Sequence, residues 1–113
     1  MQEDYVNLAE ISASAAGQEG ALWTLRESSE LNANLVRFGA GGGVAEHINH
    51  EVDVLFVGVT GCGGVTVDGE AHPLSSGTMV FVPRGAKRSV RSASEDFAYL
   101  SVHRRRGPLQ IGG

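Results

Sequence analysis

The chain has 113 residues, a formal net charge of -4 and 42% hydrophobic residues, values typical of one folded domain with a single core. Its one cysteine, Cys62, excludes an internal disulfide and a cysteine-rich zinc cluster. No apolar run is long enough to span a membrane, and we expect a cytoplasmic protein. Seven of the nine basic residues follow Pro83, so an acidic body precedes a basic end that could contact an anion.

The predicted elements are almost all short strands. One short helix is expected near the start, between Asp4 and Ala16, with Asp4 as its N-cap. After it, runs rich in β-branched residues alternate with Gly and Ser turns, and Asp68-Gly69 is a strong two-residue hairpin pattern. A turn is expected at residues 60–64. The predicted strands span residues 21–26, 31–38, 44–49, 52–59, 65–67, 70–74, 78–82, 89–91 and 97–103.

Short strands at this spacing predict an all-β sandwich or barrel. Residues 52–59 are apolar on both faces except at Asp53 and Gly58, so this strand needs cover on both sides. One face would line the interior, and the other would pack under a second sheet or a second subunit. We therefore expect a homodimer. The acidic net charge argues against nucleic acid as a partner, and no membrane partner is expected.

Two spaced patterns are more specific than the strand pattern. Gly77, Pro83 and Gly85 match the spacing Gly, five residues, Pro-x-Gly, while Gly41 and His47 match the start of Gly, five residues, His-x-His. With these patterns the chain resembles the small single-domain cupins. The resemblance implies an all-β fold with little or no helix, a single-domain cupin jelly-roll barrel also described as a double-stranded β-helix.

The resemblance also implies how the chain is organised. It places the barrel core at residues 35–103. An N-terminal segment with the first strands, residues 1–34, would pack on the barrel. A basic tail, residues 104–113, would follow, and all three parts would form one domain.

The departures from the family pattern fall at its metal site. A typical cupin holds a divalent metal with three histidines and one glutamate. His47 is retained, but Asn49 and Arg88 stand where the other two histidines are expected, and Asp53 stands at the acid position. A guanidinium is always charged and has no lone pair to offer, so Arg88 would repel a cation. We therefore expect no cofactor.

Three interpretations of these substitutions stay open. Strand alternation would place His47, Asn49, Glu51 and Asp53 on one face. In the first interpretation Arg88 forms an ion pair with Asp53 or Glu51 and binds nothing. In the second, Arg88 clamps a carboxylate or phosphate bidentately, and the ligand site is completed by His47, Asn49 and Asp53.

The third interpretation is a rebuilt metal site. Zn, Fe, Ni or Mn would bind to ligands outside the family pattern. The candidate ligands are His47, His50, Glu51 and His103. His50 has the opposite parity to His47 on a regular strand, so this site would require a β-bulge.

The predicted function is the binding of a small anionic molecule in the barrel without the usual cupin metal. One alternative is an enzyme, either a metal-dependent cupin of dioxygenase or isomerase type or a metal-free isomerase or epimerase. His47 and Asp53 would be its candidate catalytic base and acid. The other alternative is a structural or dimerisation module.

Overall fold

The structure is a computed structural model and describes residues 4–106. Over this range it contains one helix and nine strands. The helix is α1 (Leu8–Ala13). The strands are β1 (Gly20–Thr24), β2 (Leu31–Phe38), β3 (Gly43–Ile48), β4 (Val54–Thr60), β5 (Cys62–Val67), β6 (Glu70–Ser75), β7 (Met79–Val82), β8 (Lys87–Ser92) and β9 (Phe97–Arg104).

Helix α1 is shorter than predicted and has a different cap. The Asn7 side chain, in extended backbone, accepts a hydrogen bond from the Glu10 N–H at 3.1 Å. Asn7 rather than Asp4 is therefore the N-cap, and the helix ends at Ala13. Among the described residues, no helical segment has the length and apolar character that crossing a bilayer requires.

The strands form two antiparallel sheets. One has the order β1-β2-β9-β4-β7 and the other the order β3-β8-β5-β6. The pairs β5–β6, β4–β7, β3–β8 and β2–β9 are nested one inside the next along the chain, and successive pairs fall in alternate sheets. This arrangement is a long hairpin rolled into a barrel, and it confirms the predicted all-β jelly roll.

Turn chemistry explains where the strands begin and end. The innermost hairpin turns at Asp68-Gly69, and both residues have the positive φ of a type I′ turn (49° and 85°). The turn expected at residues 60–64 is much tighter, because Gly61 alone takes a positive φ of 64°. Cys62 already pairs with Ser75 in the ladder. The prediction of a five-residue turn was therefore wrong.

The core lies between the inner faces of the two sheets. Its most buried members are Phe97, Leu74, Val65, Val82 and Val52, each at most 1% exposed. Val65, Leu74 and Val82 alternate with less buried residues along their strands, as the period of a strand requires. A cavity remains between the inner faces of β2, β4 and β9 on one side and β3 and β8 on the other.

The two ends of the described chain pack against the barrel. Arg37, 6% exposed, donates from Nη1 to Gln18 O at 3.0 Å and from Nη2 to Glu95 O at 3.2 Å. It thereby joins the chain before β1 to the loop before β9. Arg105 N donates to Glu30 O at 2.6 Å. Residues 107–113 of the predicted basic tail lie outside the described range.

Candidate functional site

The turn between β7 and β8 positions the start of β8. Gly85 has a φ of 87°, and Ala86 N donates to Pro83 O at 3.2 Å. This is the geometry of a type II turn, in which the third residue must be able to adopt a positive φ. Arg88 follows three residues later on β8, and its side chain is buried between the sheets, only 6% exposed.

The loop between β3 and β4 is tied to this turn by the Asp53 side chain and by Asn49 O, which accepts from Gly85 N at 2.7 Å. Asn49 Oδ1 accepts from the backbone N–H groups of Glu51 at 2.8 Å and Val52 at 3.4 Å. Asp53 Oδ1 accepts from Arg84 N at 2.9 Å. Both side-chain oxygens therefore satisfy backbone donors. Because β3 ends at Ile48, the predicted strand alternation through residue 53 was wrong.

His47 and Arg88 are directly opposed in the β3–β8 ladder and hydrogen-bonded to each other. Arg88 Nε donates to His47 Nε2 at 2.9 Å. His47 Nδ1 lies 3.0 Å from Ala45 O. A carbonyl oxygen only accepts and a guanidinium only donates. Both contacts together assign His47 as the neutral imidazole with its proton on Nδ1.

The cavity beside this pair has a volume of about 230 Å³. Apolar side chains from both sheets form most of its wall, namely Ala21, Val36, Val44, Val54, Phe56 and Val90. The polar groups on its surface belong to Asn34, His47, Arg88, Tyr99, Ser101, His103 and Arg106. A largely apolar pocket with a few polar groups is the usual form of a small-molecule site. Asn49 and Asp53 are absent from this lining.

Arg88 is an incompletely paired charge within this cavity. Its Nη1 atom is buried and has no hydrogen-bond partner among the described residues. Burial lowers the pKa of Arg88, repulsion from Arg106 lowers it further, and the neighbouring Tyr99 opposes both. The predicted ion pair with Asp53 or Glu51 is not formed in the described chain. Asp53 is engaged by the Arg84 backbone, and Glu51 pairs with Arg106.

Tyr99 forms part of the cavity wall next to Arg88. Its ring packs edge-on against Phe56, with centroids 5.2 Å apart and an interplanar angle of 85°. Burial raises the pKa of Tyr99 to about 12, and the Arg88 charge moves it in the opposite direction. The phenol is therefore neutral near pH 7 and supplies a hydroxyl group but no negative charge.

The cavity mouth is formed by the end of β9 and the residues after it. Arg106 Nε lies 3.2 Å from Glu51 Oε1, and Arg104 Nη2 donates to Glu51 O at 3.2 Å. Residues 104–113 were predicted only as a basic tail, and Arg106 was not among the predicted site residues. The run of three arginines was the available indication, but sequence spacing cannot show that the chain returns to the mouth.

The candidate metal ligands are not gathered around one point. His103 lines the cavity, His50 and Glu51 line a shallow depression outside it, and His47 lines both. Among the described residues, no group of three or more His, Cys, Asp and Glu side chains could hold a metal ion. The Arg88 bond also occupies the His47 Nε2 lone pair. The four candidate ligands do not fit the divalent metal that the cupin fold implies. The expectation that the protein binds no metal stays a prediction.

Comparisons with known proteins agree with this architecture. The family model for the cupin domain matches residues 34–103. An uncharacterized protein of Streptomyces coelicolor is 28% identical over 95 residues, covering 84% of this chain and 90% of its own.

Two solved structures show the same fold at low sequence identity. A protein from Thermus thermophilus has a TM-score of 0.77 at 22% identity, over 93% of this chain and 100% of its own. KdgF from Halomonas sp. has a TM-score of 0.70 at 20% identity, over 79% of this chain and 81% of its own. Because the family model matches most of the chain and the strands are nested as a jelly roll, this chain belongs to the cupin family.

Proposed function

We propose that this cupin binds a small organic anion, with Arg88 as the residue that holds its carboxylate or phosphate group. The observation that carries the proposal is the buried Arg88 Nη1, which has no partner among the described residues and belongs to a side chain that lines a cavity of about 230 Å³. A buried donor without a partner is costly. An anionic ligand would satisfy it and neutralise the charge.

The rest of the cavity suits an organic acid better than an inorganic anion. His47 holds Arg88 Nε, so the terminal guanidinium nitrogens are left to form a bidentate pair with the ligand. Val54, Phe56 and Val90 supply apolar surface for the carbon skeleton. Neutral Tyr99 and Ser101 add hydroxyl groups without adding negative charge. Binding is proposed without a catalytic step, because Asp53, the candidate acid, contacts the Arg84 backbone instead of the cavity.

The test is calorimetric titration with benzoate, hexanoate and phenyl phosphate at constant ionic strength. We expect the wild type to bind at least one of these three anions saturably. Arg88→Met should weaken that binding by about tenfold or more, since a charge-assisted hydrogen bond in a buried site is worth about 1.5–3 kcal/mol. Arg88→Lys keeps the charge but loses the paired N–H donors of the guanidinium. Its affinity should therefore lie between those of the wild type and Arg88→Met.

Arg91→Met is the matched control. Arg91 lies on the same strand but is exposed and does not line the cavity, so this variant should bind like the wild type. Circular dichroism would establish that each variant is folded. The proposal is rejected if none of the three anions binds the wild type, or if Arg88→Met and Arg91→Met bind equally well.

Metal analysis of the untagged protein complements the titration. We expect substoichiometric Zn, Fe, Ni and Mn after purification and after reloading, because Arg88 and its bond to His47 oppose a cation. A stoichiometric metal removed by a chelator would contradict this. A homodimer in the cytoplasm remains the expected form of the protein.

A further inference from the structure

A second guanidinium faces the same cavity as Arg88. Arg106, just after β9, lines the cavity at its mouth. The segment carrying it is held by its neighbours, because Arg105 N donates to Glu30 O at 2.6 Å and Arg104 Nη2 donates to Glu51 O at 3.2 Å. The position of Arg106 at the mouth is thus set by contacts that Arg106 itself does not make.

Within the part of the chain that the structure describes, the cavity lining contains no compensating negative charge. Its lining includes Arg88, Arg106 and two histidines, but no aspartate or glutamate from the described chain. Tyr99, the remaining acidic group in the wall, is protonated near pH 7, because an ordinary tyrosine already ionises near pH 10 and burial raises the pKa of Tyr99 to about 12. The two guanidiniums are close enough for repulsion from Arg106 to lower the pKa of Arg88. An anion with one charge can neutralise only one of them.

The present partner of Arg106 can be exchanged. Glu51 contacts Arg106 from outside the cavity, and the side chains of Arg106 and Glu51 are 48% and 65% exposed. Exposed ion pairs contribute little to stability because water screens them and two long side chains lose freedom. Arg106 can therefore turn from Glu51 to a ligand at little cost.

We infer that the site selects a dianion, an acid with one negative group on Arg88 inside the barrel, an apolar middle, and a second negative group on Arg106 at the mouth. This inference rests on the proposed function. It adds the charge and shape of the ligand, and it makes Arg106 a specificity-determining residue. The valine and phenylalanine side chains that line the same cavity as the two arginines suit a hydrocarbon spacer.

The test compares α,ω-dicarboxylates with monocarboxylates of the same carbon number. Succinate, glutarate, adipate and pimelate are titrated against butyrate, valerate, hexanoate and heptanoate at constant ionic strength, because salt screens charge. For at least one pair, we expect the wild type to prefer the diacid by about tenfold or more. A ratio of about two reflects only the two equivalent ends of a diacid and would overturn the inference.

Substitutions near the cavity mouth then test whether Arg106 causes the preference for diacids. Arg106→Gln should reduce the diacid preference to about twofold, because it weakens diacid binding much more than monoacid binding. Arg105→Gln, the neighbouring exposed arginine that does not line the cavity, should retain the full preference. Glu51→Gln should strengthen diacid binding by freeing Arg106, and it should strengthen monoacid binding less. Equal loss in Arg105→Gln and Arg106→Gln would show a general charge effect and overturn the inference.

Failure of the inference and failure of the proposed function give different results. If monoacids and diacids bind equally and both depend on Arg88, the proposed function holds and the dianion inference fails. If none of these acids binds, the proposed function and the dianion inference both fail for carboxylate ligands.

Discussion

Arg88 is a buried charge whose nearest described partner is a neutral histidine. Its single hydrogen bond to His47 leaves Nη1 buried without a partner in the described chain. A structural ion pair, the first sequence interpretation, would have supplied a carboxylate. Without one, Arg88 is expected to reduce the stability of the unliganded fold, as residues at functional sites often do.

Arg88→Met should therefore be at least as stable as the wild type without ligand. Replacing a buried polar group by an apolar side chain of similar length removes its desolvation cost, and we expect a gain of up to about 1–2 kcal/mol. Urea unfolding measures this difference, and Arg91→Met again provides the exposed control. A loss of about 3 kcal/mol or more would indicate a structural role for Arg88.

Tyr99 makes the stability of the fold sensitive to alkaline pH. Burial raises the pKa of Tyr99 to about 12 in the folded protein, whereas an unfolded tyrosine ionises near pH 10. Between these values the unfolded state loses a proton that the folded state keeps, so stability falls as pH rises. The full loss should be about 2–3 kcal/mol.

Urea unfolding at several pH values between about 9 and 12 measures this loss. Tyr99→Phe should flatten the profile over this window. Tyr5→Phe removes the other of the two tyrosines, so the remaining tyrosinate absorbance belongs to Tyr99. If that absorbance appears near pH 10 in the folded protein, the prediction is wrong.

At the scale of elements, Gly58 lies where β4 of one sheet closely approaches β6 of the other. A Cβ added at Gly58 would overlap the Ser75 carbonyl oxygen, and backbone cannot move aside as a flexible side chain can. We expect Gly58→Ala to cost about 1–3 kcal/mol or more in denaturant unfolding. A change below about 0.5 kcal/mol would show that the sheets separate easily at this point.

Gly64 provides the matched control in β5. Neither glycine has a positive φ, and a Cβ at Gly64 would lie 3.6 Å from His72 O, an ordinary contact. Gly64→Ala should therefore change stability by less than about 1 kcal/mol. The two variants separate the steric effect of close sheet packing from the general effect of replacing a glycine in a strand.

The elements that could be predicted are those specified by local chemistry. The alternation at Leu31–Phe38 predicted β2 with its observed bounds, and Asp68-Gly69 predicted the hairpin turn because both residues adopt a positive φ. The Pro83-x-Gly85 spacing supported the family resemblance, and in the structure these residues form the turn that precedes Arg88. These features depend on neighbouring residues, which a sequence displays directly.

The parts of the site that could not be predicted depend on contacts between distant segments. Asp53 was expected beside Arg88, but it accepts the Arg84 N–H because the chain leaves β3 at Ile48 and forms a loop. Arg106 contacts Glu51 across nearly half the sequence. Neither partner is specified by spacing or alternation, since loop conformation determines both.

At the scale of the whole molecule, the predicted homodimer has a surface that suits it. Met79 and Phe81 on β7 are 56% and 50% exposed, and β7 is an edge strand of its sheet in the described chain. An exposed apolar edge strand is free to pair with another strand. Antiparallel pairing of β7 with β7 of a second copy would satisfy twofold symmetry.

Sedimentation velocity tests this arrangement. We expect a dimer for the wild type and a monomer for the double variant Met79→Glu, Phe81→Glu, because charge opposes burial of the edge. Leu31→Glu, at a residue 50% exposed at the start of β2, should remain dimeric. A monomeric wild type at micromolar concentration, or a double variant that still dimerises, would contradict the β7 interface.

The nesting of the strand pairs has a kinetic consequence. The innermost pair, β5–β6, is closed by two residues, whereas the outermost, β2–β9, joins residues separated by most of the chain. Closing a long loop costs less once the pairs inside it have formed, so we expect folding to proceed outward from Asp68-Gly69. The cavity proposed as the ligand site lies between β3–β8 and the outermost pair and would be completed last. Substitutions that line it should then change the unfolding rate much more than the folding rate, so ligand should act mainly by slowing the opening of the barrel.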